Sequence, residues 1–303
     1  MSFFDALCEM LVILFVMAMG GLAHHLGYLG GDTDQKLSKV ILNITMPAMI
    51  VGTVITGDAL PELPEILAVL KVAAVLYSLQ FSFALVLPRF LGGTPEQRGV
   101  WRFSLAFTNV AFIGYPVAEA LFGRSSLFFA VILAMPFNLL SYTLGPLMLM
   151  GGKRFCWRQI VTPFTVAALT GLFFALTRLR PPSIAGECLG LVGDVTVPLS
   201  LLVVGSLLAS LPVGRVFKSP RLWILSLLRL LVIPVALFLI LRAMQVPPVV
   251  LGIAVTQAAM PVPINGTMLC MECGGDTTSI AQATLLTTAA SIVTIPLIAA
   301  LLL

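Results

Sequence analysis

The chain has 303 residues, 59% hydrophobic and 10% charged, with a formal net charge of +4 and a mean hydropathy of +1.08. Soluble domains carry roughly a quarter charged residues, so the composition excludes a soluble protein and places the chain in a bilayer. The basic residues are scattered along short loops, which excludes a nucleic-acid surface and leaves them the task of setting orientation.

Taken in order, the apolar blocks have helix length rather than the ~10-residue alternation of an outer-membrane barrel strand. The expected fold is therefore an all-α integral membrane bundle. Ten spans are expected, at about 3–28, 37–57, 65–88, 100–121, 126–150, 160–178, 187–210, 220–242, 247–271 and 277–303. Asp5 and Glu9 stand where a cleavable signal would be basic, so the first block is read as a span. The longest loop, Gly151–Gln159, is too short for a domain. With ten spans, eleven of the seventeen Lys and Arg residues fall on one side and five on the other, while Arg229 lies inside the eighth span. The richer side is expected to be cytoplasmic, with both termini extracytoplasmic in an inner (plasma) membrane.

Motifs recur along the chain. Asn43-Ile-Thr45-Met-Pro47 returns as Asp194-Val-Thr196-Val-Pro198, and Leu105–Asn109 resembles Ile253–Gln257. Pro146 and Pro296 match in the fifth and tenth spans. Five spans is an odd number, so the second copy enters from the opposite side. The reading is a 5+5 inverted repeat, residues 1–152 and 153–303, an architecture whose sites lie at the repeat interface near the midplane.

The polar positions inside the spans are the site candidates. Thr256–Asn265 reads TQAAMPVPIN: Pro261 and Pro263 displace the carbonyls of Gln257 and Ala259 and break the ninth helix. In the fourth span Thr108 and Asn109 precede Gly114 and Pro116, and Pro116 frees the carbonyl of Phe112. New half-helices are expected near Pro116 and Pro263, their N-termini favouring an anion; the plainer alternative is two proline kinks repaired by neighbours. Substrate contacts are assigned to Thr108, Asn109, Gly114, Pro116, Gln257, Pro261, Pro263 and Asn265, with Asn138 as a weaker member beside Tyr142 and Thr143.

In the second and seventh spans Pro47 and Pro198 free the carbonyls of Asn43 and Asp194 beside Thr45 and Thr196. Asn43, Thr45, Asp194 and Thr196 are weak candidates for Na⁺ or H⁺ coupling, with Asp194 the most deeply placed carboxylate by these limits; helix packing is the alternative. Arg229 is a partner to a buried acid, a counter-charge to an anion, or a snorkelling side chain. Glu119 and the pair His24-His25 read as solvated or interfacial. Cys270 and Cys273 form a lone C-x-x-C without a second pair, so buried apolar cysteines are expected, and no metal or cofactor. No H-E-x-x-H, G-x-S-x-G or Walker A pattern occurs, so nothing points to an enzyme.

N-I-T-M-P, F-T-N-V-A-F-I-G-Y-P and Q-A-A-M-P-V-P-I-N together resemble the auxin efflux carrier family, over nearly the whole chain. That family includes PIN-type auxin exporters and bacterial permeases linked to malonate or malate. Pro263 departs from relatives with a small residue there, and the long loop of many plant members is absent. The resemblance implies a fold like that of sodium/proton antiporters and bile-acid symporters. Spans 1, 2, 6 and 7 would form a scaffold, and spans 3–5 with 8–10 a moving unit. Interrupted helices 4 and 9 would cross at the substrate, placing Asn109, Pro116, Pro261 and Asn265 at the crossing, in a homodimer.

The functional expectation is a secondary transporter of a small organic carboxylate working by an elevator movement, with H⁺ or Na⁺ as a coupling ion. The alternatives are a sodium/proton-coupled cation antiporter resting on Asp194, and a receptor that binds without transporting.

Overall fold

The computed structural model describes residues 3–56, 63–150, 163–179, 181–210, 216 and 219–302. The loop Gly151–Gln159 and the side chains of Asn138, Tyr142 and Cys273 lie outside the described residues. Within them the chain is helical without a strand: α1 Phe3–His25, α2 Gly31–Val40, α3 Met46–Thr56, α4 Leu63–Val86, α5 Pro88–Leu91, α6 Pro95–Ala106, α7 Tyr115–Phe122 and α8 Ser126–Met150. The second half continues with α9 Pro163–Thr177, α10 Ser183–Gly193, α11 Thr196–Ala209, α12 Pro220–Leu227, α13 Ile233–Ala243, α14 Pro248–Ala258, α15 Asn265–Cys273 and α16 Thr277–Leu302.

Against the expectation of ten crossings, six helical runs qualify by length and apolarity: Gly31–Thr56, Leu63–Leu91, Pro95–Phe122, Ser183–Ala209, Pro220–Ala243 and Thr277–Leu302. A seventh, Ser126–Ser141 with Thr143–Leu149, is bent by 49°, where the ring of Pro146 displaces the carbonyl of Tyr142. The other expected segments fall on shorter apolar helices, Leu11–His25, Thr165–Thr177 and Pro248–Ala258.

Proline writes the same local defect three times. Wide π-helical turns at Ile41–Thr45, Val110–Gly114 and Leu228–Val232 end just ahead of Pro47, Pro116 and Pro234. Each ring removes an i−4 hydrogen bond, and the wider turn is how the helix accommodates the loss.

Packing sorts the helices into two groups. In one, α1 lies along α11, and α3 against α9 and α10. These contacts are backbone-close: a Cβ on Gly20 would strike the main chain of Leu202, and one on Gly205 that of Met17. Without a hydrophobic drive between helices in lipid, such small residues supply the dispersion contact. In the other group α4, α6 and α8 pack mutually, while α16 packs on α12, α13 and α14, and α13 on α14. The groups meet where α1 lies on α16 and α7, where the turn Val110–Gly114 touches α11, and where α3 touches α8.

Candidate functional site

The span Pro95–Phe122 starts conventionally. Thr94 and Gln97 form a reciprocal capping box, with Pro95 in the first turn. It stops at Ala106, where Phe107 turns extended. Asn109 then restarts it: its side-chain Oδ1 accepts from the Phe112 N–H at 3.2 Å, and its carbonyl accepts from the Gly114 N–H at 3.0 Å. The restart therefore lies at Asn109, seven residues ahead of Pro116, because the side chain of Asn109 caps what the main chain cannot. The carbonyl of Phe112, freed by Pro116 as expected, lies 3.3 Å from the Ser200 hydroxyl on α11.

The ninth segment breaks as TQAAMPVPIN requires. α14 ends at Ala258 and α15 begins at Asn265, with Met260–Pro263 buried and non-helical between them. Partners from elsewhere hold this stretch. The Val262 N–H donates to Thr287 Oγ1 of α16 at 3.1 Å, and the Thr287 hydroxyl donates to the Ala283 carbonyl at 2.7 Å. The Asn109 N–H donates to the Pro261 carbonyl at 2.8 Å. The two interruptions are thus joined to each other by a main-chain hydrogen bond.

Beside that bond lies a cavity of about 130 Å³, lined by Thr108, Asn109, Tyr115, Phe137, Pro263 and Asn265 on one wall and by Lys39, Leu42, Asn43 and Met46 on the other. A water needs about 10–15 Å³ of such space, so the cavity admits a small ligand. Asn109 is 2% exposed, and its amide Nδ2 has no hydrogen-bond partner among the described residues. A buried donor without a partner costs about 1–3 kcal/mol, so this amide is set for an acceptor that enters the cavity.

The structure brings the expected substrate contacts Thr108, Asn109, Pro263 and Asn265, together with the coupling candidate Asn43, to one cavity. Pro261 contributes its carbonyl to the joint, while Gly114 and Pro116 shape the turn behind it. Gln257 is directed elsewhere: its Nε2 donates to the Ala130 carbonyl of α8 at 2.8 Å. Thr45 and Thr196 are buried outside the cavity lining.

Two placements stand out beside the sequence reading. A basic residue does stand at the site: Lys39 lines the cavity one helical turn before Asn43, an i, i+4 spacing that was there to be read. Asp194 is not deep. It lies at the break between α10 and α11, its side chain 58% exposed and paired with Arg124 at 2.7 Å, in a second cavity of about 360 Å³ shared with Glu119. The buried carboxylate is Asp34, 1% exposed, which accepts from Ser206 Oγ at 2.7 Å and from the Gly30 N–H at 3.0 Å. Ser206 in turn lies 3.2 Å from His24 Nδ1.

The family model described as "Membrane transport protein" matches residues 5–154 and again residues 148–299, together almost the whole chain. The chain belongs to this membrane transport protein family. It is the auxin efflux carrier-like family that the three motifs resemble. A protein described as "Uncharacterized transporter" from Methanothermobacter thermautotrophicus strain Delta H is 26% identical over 301 residues, covering 98% of either chain. As a member of the membrane transport family the protein is a transporter and not an enzyme, and the cavity between its two interrupted helices is the place where its polar side chains converge.

Proposed function

We propose that this membrane transport protein is a secondary transporter of a small organic carboxylate, moved by an elevator-type displacement of one helix group against the other. The observation that carries the reading is the unpartnered amide of Asn109 at a cavity where two interrupted helices meet. Its donor, the Thr108 hydroxyl and the Lys39 ammonium form a set complementary to a carboxylate.

Packing supports the two-part, inverted-repeat architecture. Pairing the first span with the seventh (α1 with α11) has its mirror in the second with the sixth (α3 with α9), as exchange of repeats demands. Likewise α4 on α6 is mirrored by α13 on α14. The cavity has one wall from each group, the arrangement alternating access requires. With the Lys- and Arg-rich loops cytoplasmic, Lys39 lies towards the cytoplasm, and the Arg124–Asp194 pair lies at the extracytoplasmic end.

The test is uptake by reconstituted protein of radiolabelled mono- and dicarboxylates, wild type beside Asn109→Ala. Uptake that the substitution cuts at least ~10-fold is expected, since a hydrogen bond to a charged group is worth about 1.5–3 kcal/mol. A wild-type protein that moves none of them overturns the reading.

A further inference from the structure

Among the described residues two charged side chains are buried, Asp34 and Arg229. Asp34 has Ser206 and Gly30. Arg229, 0% exposed, stands in the turn Leu228–Val232 inside the span Pro220–Ala243. It forms no ion pair within the described residues, and its Nε and Nη2 have no hydrogen-bond partner. Its remaining nitrogen, Nη1, donates to the Leu105 carbonyl at 3.4 Å.

Leu105 is the last residue but one of α6, so its carbonyl belongs to those the interruption strips of helical partners. The C-terminal end of a helix carries about half a negative charge, and Arg229 caps that end from the neighbouring span. A guanidinium stays protonated inside proteins. The dipole offsets about half of this charge locally, but a dipole carries no net charge, so the full unit charge of Arg229 stays with the unit at membrane depth, where fields are weakly screened. Asn109, the cavity's donor, is four residues beyond Leu105.

The other repeat answers with a neutral residue. Gln80 stands 149 positions before Arg229, inside the 148–151 spacing of the matched motifs. It is 1% exposed, and α4, which carries it, packs on α14 as the turn of Arg229 packs on α6. One interrupted helix thus has a charged residue behind it and the other an amide.

We propose that Arg229 is a positioning residue that serves as the fixed counter-charge of the transported anion. Resting on the elevator reading above, it travels with the moving unit, whereas Lys39, on the opposite wall, does not. A unit holding a monocarboxylate then crosses the membrane field without net charge, and an empty unit crosses it carrying one positive charge. Exchange of one anion for another is accordingly fast, and the return of the empty carrier is slow.

The full chain in proteoliposomes tests this with radiolabelled pyruvate as monoanion and malonate as dianion at neutral pH. Exchange and net uptake are measured with and without an imposed potential. For wild type, pyruvate exchange exceeds net uptake by roughly tenfold and ignores a potential of about 100 mV. Arg229→Gln keeps a donor for Leu105 and removes the charge. It brings exchange and net rates within about twofold and makes exchange sensitive to potential. Arg229→Lys keeps the wild-type pattern, which packing alone would not restore.

An Arg229→Gln protein with the wild-type ratio and no sensitivity to potential overturns the counter-charge and leaves the transport reading standing. Wild-type vesicles that move neither anion overturn the transport reading, and the counter-charge with it. Should Arg229→Gln not fold, Gln80→Arg carries the test: a second fixed charge shifts preference from pyruvate to malonate by at least ~3-fold. An unchanged preference overturns the proposal.

Discussion

The main-chain N–H of Asn109 donates to the carbonyl of Pro261 across 2.8 Å, joining two helix interruptions 152 positions apart in sequence. At membrane depth each interruption alone would strand polar backbone at a cost of several kcal/mol. Joined, they satisfy one donor and one acceptor at once, and the Asn109 side chain satisfies a second donor, that of Phe112. The same residue then faces the cavity with an unused amide. Structure and recognition are thus concentrated in one side chain, and its variants separate them.

Asn109→Asp keeps the capping oxygen and replaces the free donor with a negative charge. Thermal unfolding is expected earlier than in wild type, because the capping oxygen is kept but an ionised carboxylate is buried without a partner. Carboxylate binding, read by the thermal shift on adding ligand, is expected to vanish. Asn109→Ala loses the cap too and unfolds earlier by about 1 kcal/mol. An Asp variant that binds carboxylate as wild type does would show that this amide is no ligand.

Thr287 supports the other interruption. Thr287→Val removes the acceptor of the Val262 N–H and leaves a buried donor stranded, which costs about 1–3 kcal/mol. Thr287→Ser restores both the hydroxyl and most of that stability. Unfolding in detergent measures the series, and a Val variant as stable as the Ser variant would dismiss the bond.

How much of this was legible follows from range. A proline's effect on the carbonyl four residues back is a local rule, so the breaks in the fourth and ninth segments could be read from TQAAMPVPIN and from Pro116. What repairs them is not local: Thr287, Ser200 and Ala130 come from other helices, and spacing cannot announce them. Gln257 was assigned to substrate because it borders the break, yet its amide points into α8. Asp194 falls within a span by either set of limits, 187–210 or Ser183–Ala209, but the helix divides there and leaves the side chain 58% exposed, which spacing does not announce. Asp34 was missed through the segment limits, lying three residues before the assumed start of the second segment although α2 begins at Gly31. Lys39 was legible and was passed over as loop charge.

Lys39 is exposed and makes no ion pair among the described residues. Lys39→Gln should therefore leave thermal stability unchanged. Two unit charges at contact in water attract by about 1 kcal/mol, so the apparent KM for a carboxylate is expected to rise roughly 5-fold. Because the charge is hydrated, added salt should shrink the difference between wild type and variant. Uptake kinetics at low and high ionic strength check this, and a KM indifferent to both changes would remove Lys39 from the site.

Asp194 offers the contrast. Its pair with Arg124 is partly solvated, with 44% and 58% of the two side chains exposed, and exposed pairs contribute about 0–1 kcal/mol. Asp194→Asn and Arg124→Gln should each change stability by less than that, and the double variant should match either single one. Carboxylate uptake in all three is expected within about twofold of wild type, since neither residue lines the cavity at Asn109. Loss of ion-gradient-driven flux in Asp194→Asn alone, with Arg124→Gln active, would return the carboxylate to a coupling role and favour the cation antiporter. An equal loss in both single variants would mark the pair instead as a contact between the two helix groups that holds one end of the bundle closed.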